Sequence, residues 1–66
     1  MSEPITDREI ATAMLQFGGS FISALGSAWM RADPMNGDRI AKAFPDFWEE
    51  YRELVQLHRN RAKASA

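Results

Sequence analysis

Sixty-six residues, with eight Lys and Arg against nine Asp and Glu, no cysteine and a single histidine, leave room for one domain. They exclude disulfides, thiolate metal sites and the usual multi-histidine zinc site within one chain. A net charge of −1 lacks the basic excess that a nucleic-acid binder of this size carries on one face.

A chain this short buries only about 60% of the surface that its unfolded form exposes, so its core is marginal. Without disulfide or metal, helix packing or self-association has to hold it. The apolar share of 45% is high for the length and favours a homodimer. The opening Met-Ser-Glu-Pro puts acidic and polar residues where a secretion signal needs a basic start and an apolar run. Residues 1–5 therefore read as an unstructured lead, and a cytoplasmic location is expected.

The first helix starts clearly. Thr6 is a good N-cap and Glu9, three residues on, completes a capping box. Ile5 and Ile10 flank the cap where a hydrophobic staple closes, and Asp7 and Glu9 suit the positive end of the helix dipole. From residue 10 to residue 30 no side chain is charged, although charges crowd both flanks. Ile10, Met14, Phe17, Phe21, Ala24 and Ala28 form one stripe at helical spacing, and Leu15, Gly18, Ile22, Leu25 and Trp29 form a second beside it. The phase survives Gly18-Gly19, so one helix is expected over 6–32, with packing offsetting roughly 1 kcal/mol for each glycine. Gly19, Ser23, Gly26 and Ser27 make a third face of small residues, suited to a close helix–helix contact between two copies.

Asp33-Pro34 stops that helix and starts a short one over 34–44: Asp33 as cap, Pro34 in the first turn, Ile40, Ala43 and Phe44 on its apolar side. Pro45 opens a third helix over 45–61, on which Phe44, Trp48, Tyr51, Val55 and His58 recur with Phe47 and Leu54 beside them. Arg59, Arg61 and Lys63 suit its C-terminal end, and residues 62–66 are expected to fray. There is no internal repeat and no strand-like alternation. The fold expected is all-α: a long helix, a short connector and a third helix folded back, two copies forming a bundle.

No catalytic residue, cofactor site or metal ligand is expected. The acids sit at helix starts or on outward faces, where capping and solubility explain them; Asp46, Glu49, Glu50 and Glu53 read as a solvated patch. His58 lacks a catalytic partner and suits a half-buried packing role. Gly18-Gly19 has neither the lysine nor the spacing of a phosphate loop.

Function then lies in binding. Met14, Phe17, Gly19, Phe21, Ser23 and Leu25 are the expected self-association residues. Trp29, Met30, Arg31, Phe47, Trp48 and Tyr51 are the expected partner-binding residues, because aromatics and Arg carry binding hot spots. The leading function is a non-enzymatic protein-binding regulator or inhibitor. The alternative from another class is a membrane-active, holin-like protein spanning with residues 10–30, a length that matches the roughly 20 residues a span needs. Thr12, Gln16, three serines and three glycines dilute that stretch. A helical DNA binder ranks third: Pro45-Asp46-Phe47-Trp48-Glu49-Glu50 is acidic where a recognition helix wants basic or amide residues, so no nucleic-acid partner is expected.

Phe17-Gly18-Gly19-Ser20-Phe21, Ala32-Asp33-Pro34 and Ala43-Phe44-Pro45-Asp46-Phe47-Trp48 together resemble short proteins encoded in bacteriophages and prophages. The resemblance covers most of the chain through packing and capping residues, and carries no catalytic signature. It implies a compact accessory protein in the cytoplasm of a bacterial host. Such a protein binds and blocks a host protein: a transcription regulator, a defence complex such as CRISPR machinery, or a surface-appendage component.

Overall fold

The computed structural model describes residues 4–65, and side chains through residue 62. Most of the 1–5 lead, the Lys63 side chain and Ala66 lie outside the described residues. Four helices follow in order: α1 Asp7–Phe17, α2 Ser20–Arg31, α3 Pro34–Ala43 and α4 Pro45–Ser65. The fold is all-α.

The N-terminal signals act as their chemistry predicts. Thr6 Oγ1 accepts from the Glu9 N–H at 3.1 Å, and Glu9 Oε1 accepts from the Thr6 N–H at 3.1 Å. Ile5 packs against the core to which Ile10 belongs. Glu9 also reaches beyond its own helix, because its carboxylate accepts two hydrogen bonds from Arg59 Nη2, at 2.7 and 2.9 Å. The helix start is thereby tied to α4.

The single helix expected over 6–32 is two helices. Gly18 and Gly19 are both extended, with ψ of 156° and −173°. The Gly18 N–H closes α1 onto the Met14 carbonyl at 3.0 Å, and the Gly19 carbonyl accepts from Ser23 at 2.8 Å. Helical periodicity continues across the pair because α2 turns back along α1 and offers the same kind of apolar stripe to the same core. Breaking at the glycines avoids their helical cost of about 1 kcal/mol each and lets one chain cover a face too wide for a single neighbour.

Gly26 and Ser23 of the small-residue face are used inside this hairpin. Gly26 is buried, and a Cβ there would stand 2.7 Å from the Ala11 carbonyl oxygen and 3.2 Å from the Leu15 nitrogen. Only a missing side chain permits that approach. Ser23 Oγ donates to the Leu15 carbonyl at 3.4 Å. The close helix–helix contact thus forms within one copy.

Asp33 caps α3, its carboxylate accepting from the Asn36 N–H at 2.8 Å, with Pro34 in the first turn. Gly37 lies against the Trp29 indole, where a Cβ would meet Nε1 at 3.1 Å. α4 runs to Ser65 rather than fraying from residue 62. Arg61, Ala62 and Lys63 are strong helix formers, and their propensity favours continuing the helix. α4 crosses α1. Trp48 Nε1 donates to Asp7 Oδ1 at 3.1 Å near the start of both, and His58 stacks on Phe17 near the end of α1.

The core is small: Ile10, Ala13, Met14, Trp48 and Tyr51, overlaid by half-buried Ile22, Leu25, Trp29, Ile40, Leu54 and Val55. Among the described residues no helix is long and apolar enough to cross a membrane. The charge-free stretch that matched a span in length is divided between α1 and α2.

Candidate protein-docking surface

The structure separates the residues that the sequence offered for binding. Met14 is wholly buried, and Trp48 and Tyr51 are 4% and 8% exposed. None of the three presents a surface to another molecule. Ser23 and Leu25 are half-buried in the hairpin and Gly19 is exposed at its corner. Phe17 and Phe21, by contrast, are 55% and 57% exposed.

Trp29 and Met30 are half-buried and line a cleft of about 400 Å³ between the start of α1 and the α2–α3 turn, with Asp7, Arg8, Asp33 and Asp38. Each acid there has a partner. Asp7 holds the Trp48 indole, Asp33 caps α3, and Asp38 pairs with Lys42 at 2.9 Å. Arg8 Nη1 lies 3.9 Å from the Met30 sulfur. Arg31 is exposed beyond the cleft. The arrangement is a helix-end junction whose charges are occupied by capping and pairing.

The other side of the molecule differs. Phe21, at the start of α2, meets Phe44 and Phe47 edge-on, each with ring centroids 6.1 Å away, while Phe44 and Phe47 stack at 5.9 Å. Phe17 stacks on His58 at 5.3 Å with the rings 14° from parallel. His58 is therefore an exposed ring in a stack, not a half-buried packing residue. A shallow depression of about 300 Å³ separates the two aromatic groups, lined by Phe17, Glu50, Tyr51, Glu53, Leu54 and Leu57. Leu57 is 47% exposed. Phe17, Leu54 and Leu57 give the depression its aromatic and aliphatic walls, with Glu50 and Glu53 beside them.

Each aromatic pair contributes about 0.5–1.5 kcal/mol beyond area burial, so the rings hold one another in place while their outer faces stay wet. Scattered exposed apolar residues need no explanation, but a contiguous apolar face rimmed by charge marks an interaction site. Leu57 was missed from the sequence because it lies off the stripe of Phe44, Trp48, Tyr51, Val55 and His58. Its signal was there: Phe47, Leu54 and Leu57 share a second stripe.

Among the described residues no three of His, Cys, Asp and Glu come together to hold a metal. The Glu9 carboxyl has a displaced acidity. The Thr6 N–H, first, and the Arg59 guanidinium hold it below its ordinary value, the work of a cap and an ion pair. No protein-family model, no curated protein and no solved structure matches the chain.

Proposed function

We propose that this chain is a non-enzymatic protein-binding regulator or inhibitor that docks through the face formed by Phe17, Phe21, Phe47 and Leu57. The observation that carries the reading is the exposure of two phenylalanines fixed by ring contacts beside a depression with apolar walls. Interface cores are enriched in aromatic residues and depleted of charge, with polar groups at the rim. Rigid rings cost little conformational entropy when a partner covers them. Glu50 and Glu53 at the rim favour a partner with basic groups around an apolar centre. Following the resemblance to phage-encoded proteins, that partner is a protein of a bacterial host, and occupying its surface is the mode of action.

Affinity capture from bacterial lysate tests the reading when two variants are compared. The wild-type chain retains a protein that Phe21→Ser, folded by circular dichroism, does not, whereas Arg31→Ser, outside that face, retains it fully. Retention of nothing from several hosts, or retention indifferent to Phe21→Ser, overturns it.

A further inference from the structure

The outer edge of the proposed docking face is a single strip of α4. Phe47, Glu50, Leu54, Leu57 and Arg61 recur at intervals of three, four, three and four residues, the spacing of a seven-residue repeat whose members share one helix edge. Its inner members, Phe47 and Leu54, pack against the core beside Trp48, Tyr51 and Val55, so the strip borders the core and turns its other members outward. Glu50, Leu57 and Arg61 are exposed, and Phe47 and Leu54 are half-buried. Two leucines stand at its centre, an acid lies toward one end and a base toward the other.

We infer that this strip is a self-pairing surface, and that its occupant is a second copy of the chain with the two α4 helices antiparallel. The inference rests on the reading of this face as a docking surface: a second copy takes its α4 edge at Leu57, and the exposed Phe21 at the start of α2 stays open to the host protein. Antiparallel pairing about a two-fold axis between Leu54 and Leu57 sets Leu54 of one copy opposite Leu57 of the other, and Glu50 opposite Arg61, each contact occurring twice. A parallel pair places Glu50 against Glu50 and Arg61 against Arg61, which charge disfavours. The depression lined by Phe17, Leu54 and Leu57 receives the Leu57 side chain of the second copy. The flanking exposed position raises no conflict: Glu53 comes beside Asn60. The pairing draws on none of Met14, Ser23 and Gly26, which are used inside each copy.

Sedimentation equilibrium of the full chain, without detergent and over a wide dilution series, tests this. The wild type associates to a dimer. Glu50→Arg and Arg61→Glu each weaken the dimer roughly tenfold or more by opposing like charges at two symmetric contacts, and the doubly swapped chain recovers wild-type affinity. Leu57→Glu abolishes the dimer while leaving the helical circular dichroism signal unchanged. The absence of cysteine permits a second readout of direction. Under mild oxidation a mixture of Leu54→Cys and Leu57→Cys chains forms the mixed disulfide several-fold faster than either same-species disulfide. A chain monomeric at every concentration, swaps without rescue, or faster same-species cross-linking overturns the self-pairing. A monomeric wild type that still captures a host protein through Phe21 overturns the self-pairing and leaves the protein-binding reading intact. A rescued dimer that captures nothing does the reverse.

Discussion

Two groups of aromatic residues divide the molecule. Trp48 and Tyr51 are inside, while Phe17 and Phe21 are outside, the reverse of the order expected from polarity alone. Position explains the inversion. Trp48 and Tyr51 sit on the side of α4 that crosses α1, and the one polar atom of the indole finds Asp7 at 3.1 Å, so burial leaves nothing unsatisfied. Phe17 and Phe21 flank the glycine break, where the chain turns, and α4 touches each ring without covering it. The same aromatic chemistry is fold on one side and available surface on the other.

The largest effect therefore belongs to Trp48→Ala. It removes a core indole and the Asp7 contact together, a loss of about 3–5 kcal/mol. A 66-residue chain with so small a core has little more than that to lose. The helical circular dichroism signal at room temperature should collapse. A cooperative melt retained within a few degrees of wild type would place Trp48 outside the core.

Next comes the hairpin. Gly26→Ala places a Cβ 2.7 Å from the Ala11 carbonyl oxygen, an atom that cannot move without disturbing α1. The expected cost is about 1–3 kcal/mol, read from urea denaturation. Gly19→Ala is its control, because nothing lies within 4 Å of that position. Its φ of −70° suits any residue, and the gain of about 0.4–1 kcal/mol through the unfolded chain is offset by placing Ala at the α2 N-cap, so the change should be near neutral. Equal effects at both glycines would mean that α1 and α2 do not meet at Gly26.

Much of this architecture was readable from the residues because its signals are local. Thr6 with Glu9, and Asp33 with Pro34, satisfy or omit helix-end amides within four residues of chain, so the helix starts follow directly. The break at Gly18-Gly19 was not readable from periodicity. A stripe at helical spacing continues whether the next segment prolongs the helix or folds back onto the same core, and only the tertiary alternative decides. Burial of Met14, Trp48 and Tyr51, with exposure of Phe17 and Phe21, was hidden for the same reason: all five occupy apolar positions on their helices. Which of them is covered depends on the crossing of α4 over α1, set by long-range contacts such as Glu9 with Arg59, fifty positions apart.

That contact supplies a smaller, pH-dependent effect. The Thr6 N–H and the Arg59 guanidinium hold the Glu9 pKa below its ordinary 4.5. The stabilisation is fully present above that value and is lost as pH falls through the lower, folded-state value. Thermal melts should thus decline on the acid side. Glu9→Gln, which keeps a capping oxygen but not the charge, should flatten part of that decline while lowering the melting temperature at neutral pH. An unchanged acid profile would assign the decline to other carboxylates.

The smallest stability effect separates the two aromatic groups most sharply. Phe21→Ser removes an exposed ring and two edge contacts, with Phe44 and Phe47, a loss of about 1 kcal/mol at the low end of the per-pair range, which suits rings left half in water. That amounts to roughly 4–8 °C in melting temperature for a domain of this size. Trp48→Ala, only four positions along from Phe44, should abolish folding instead. If the fold scarcely notices Phe21, the ring is held in the sequence's most apolar stretch for some purpose other than the core, and a covering partner is the physical reason to keep it wet in the free chain. If Phe21→Ser unfolds the protein as Trp48→Ala does, the aromatic face is an extension of a marginal core, and the docking surface has to be sought elsewhere on the molecule.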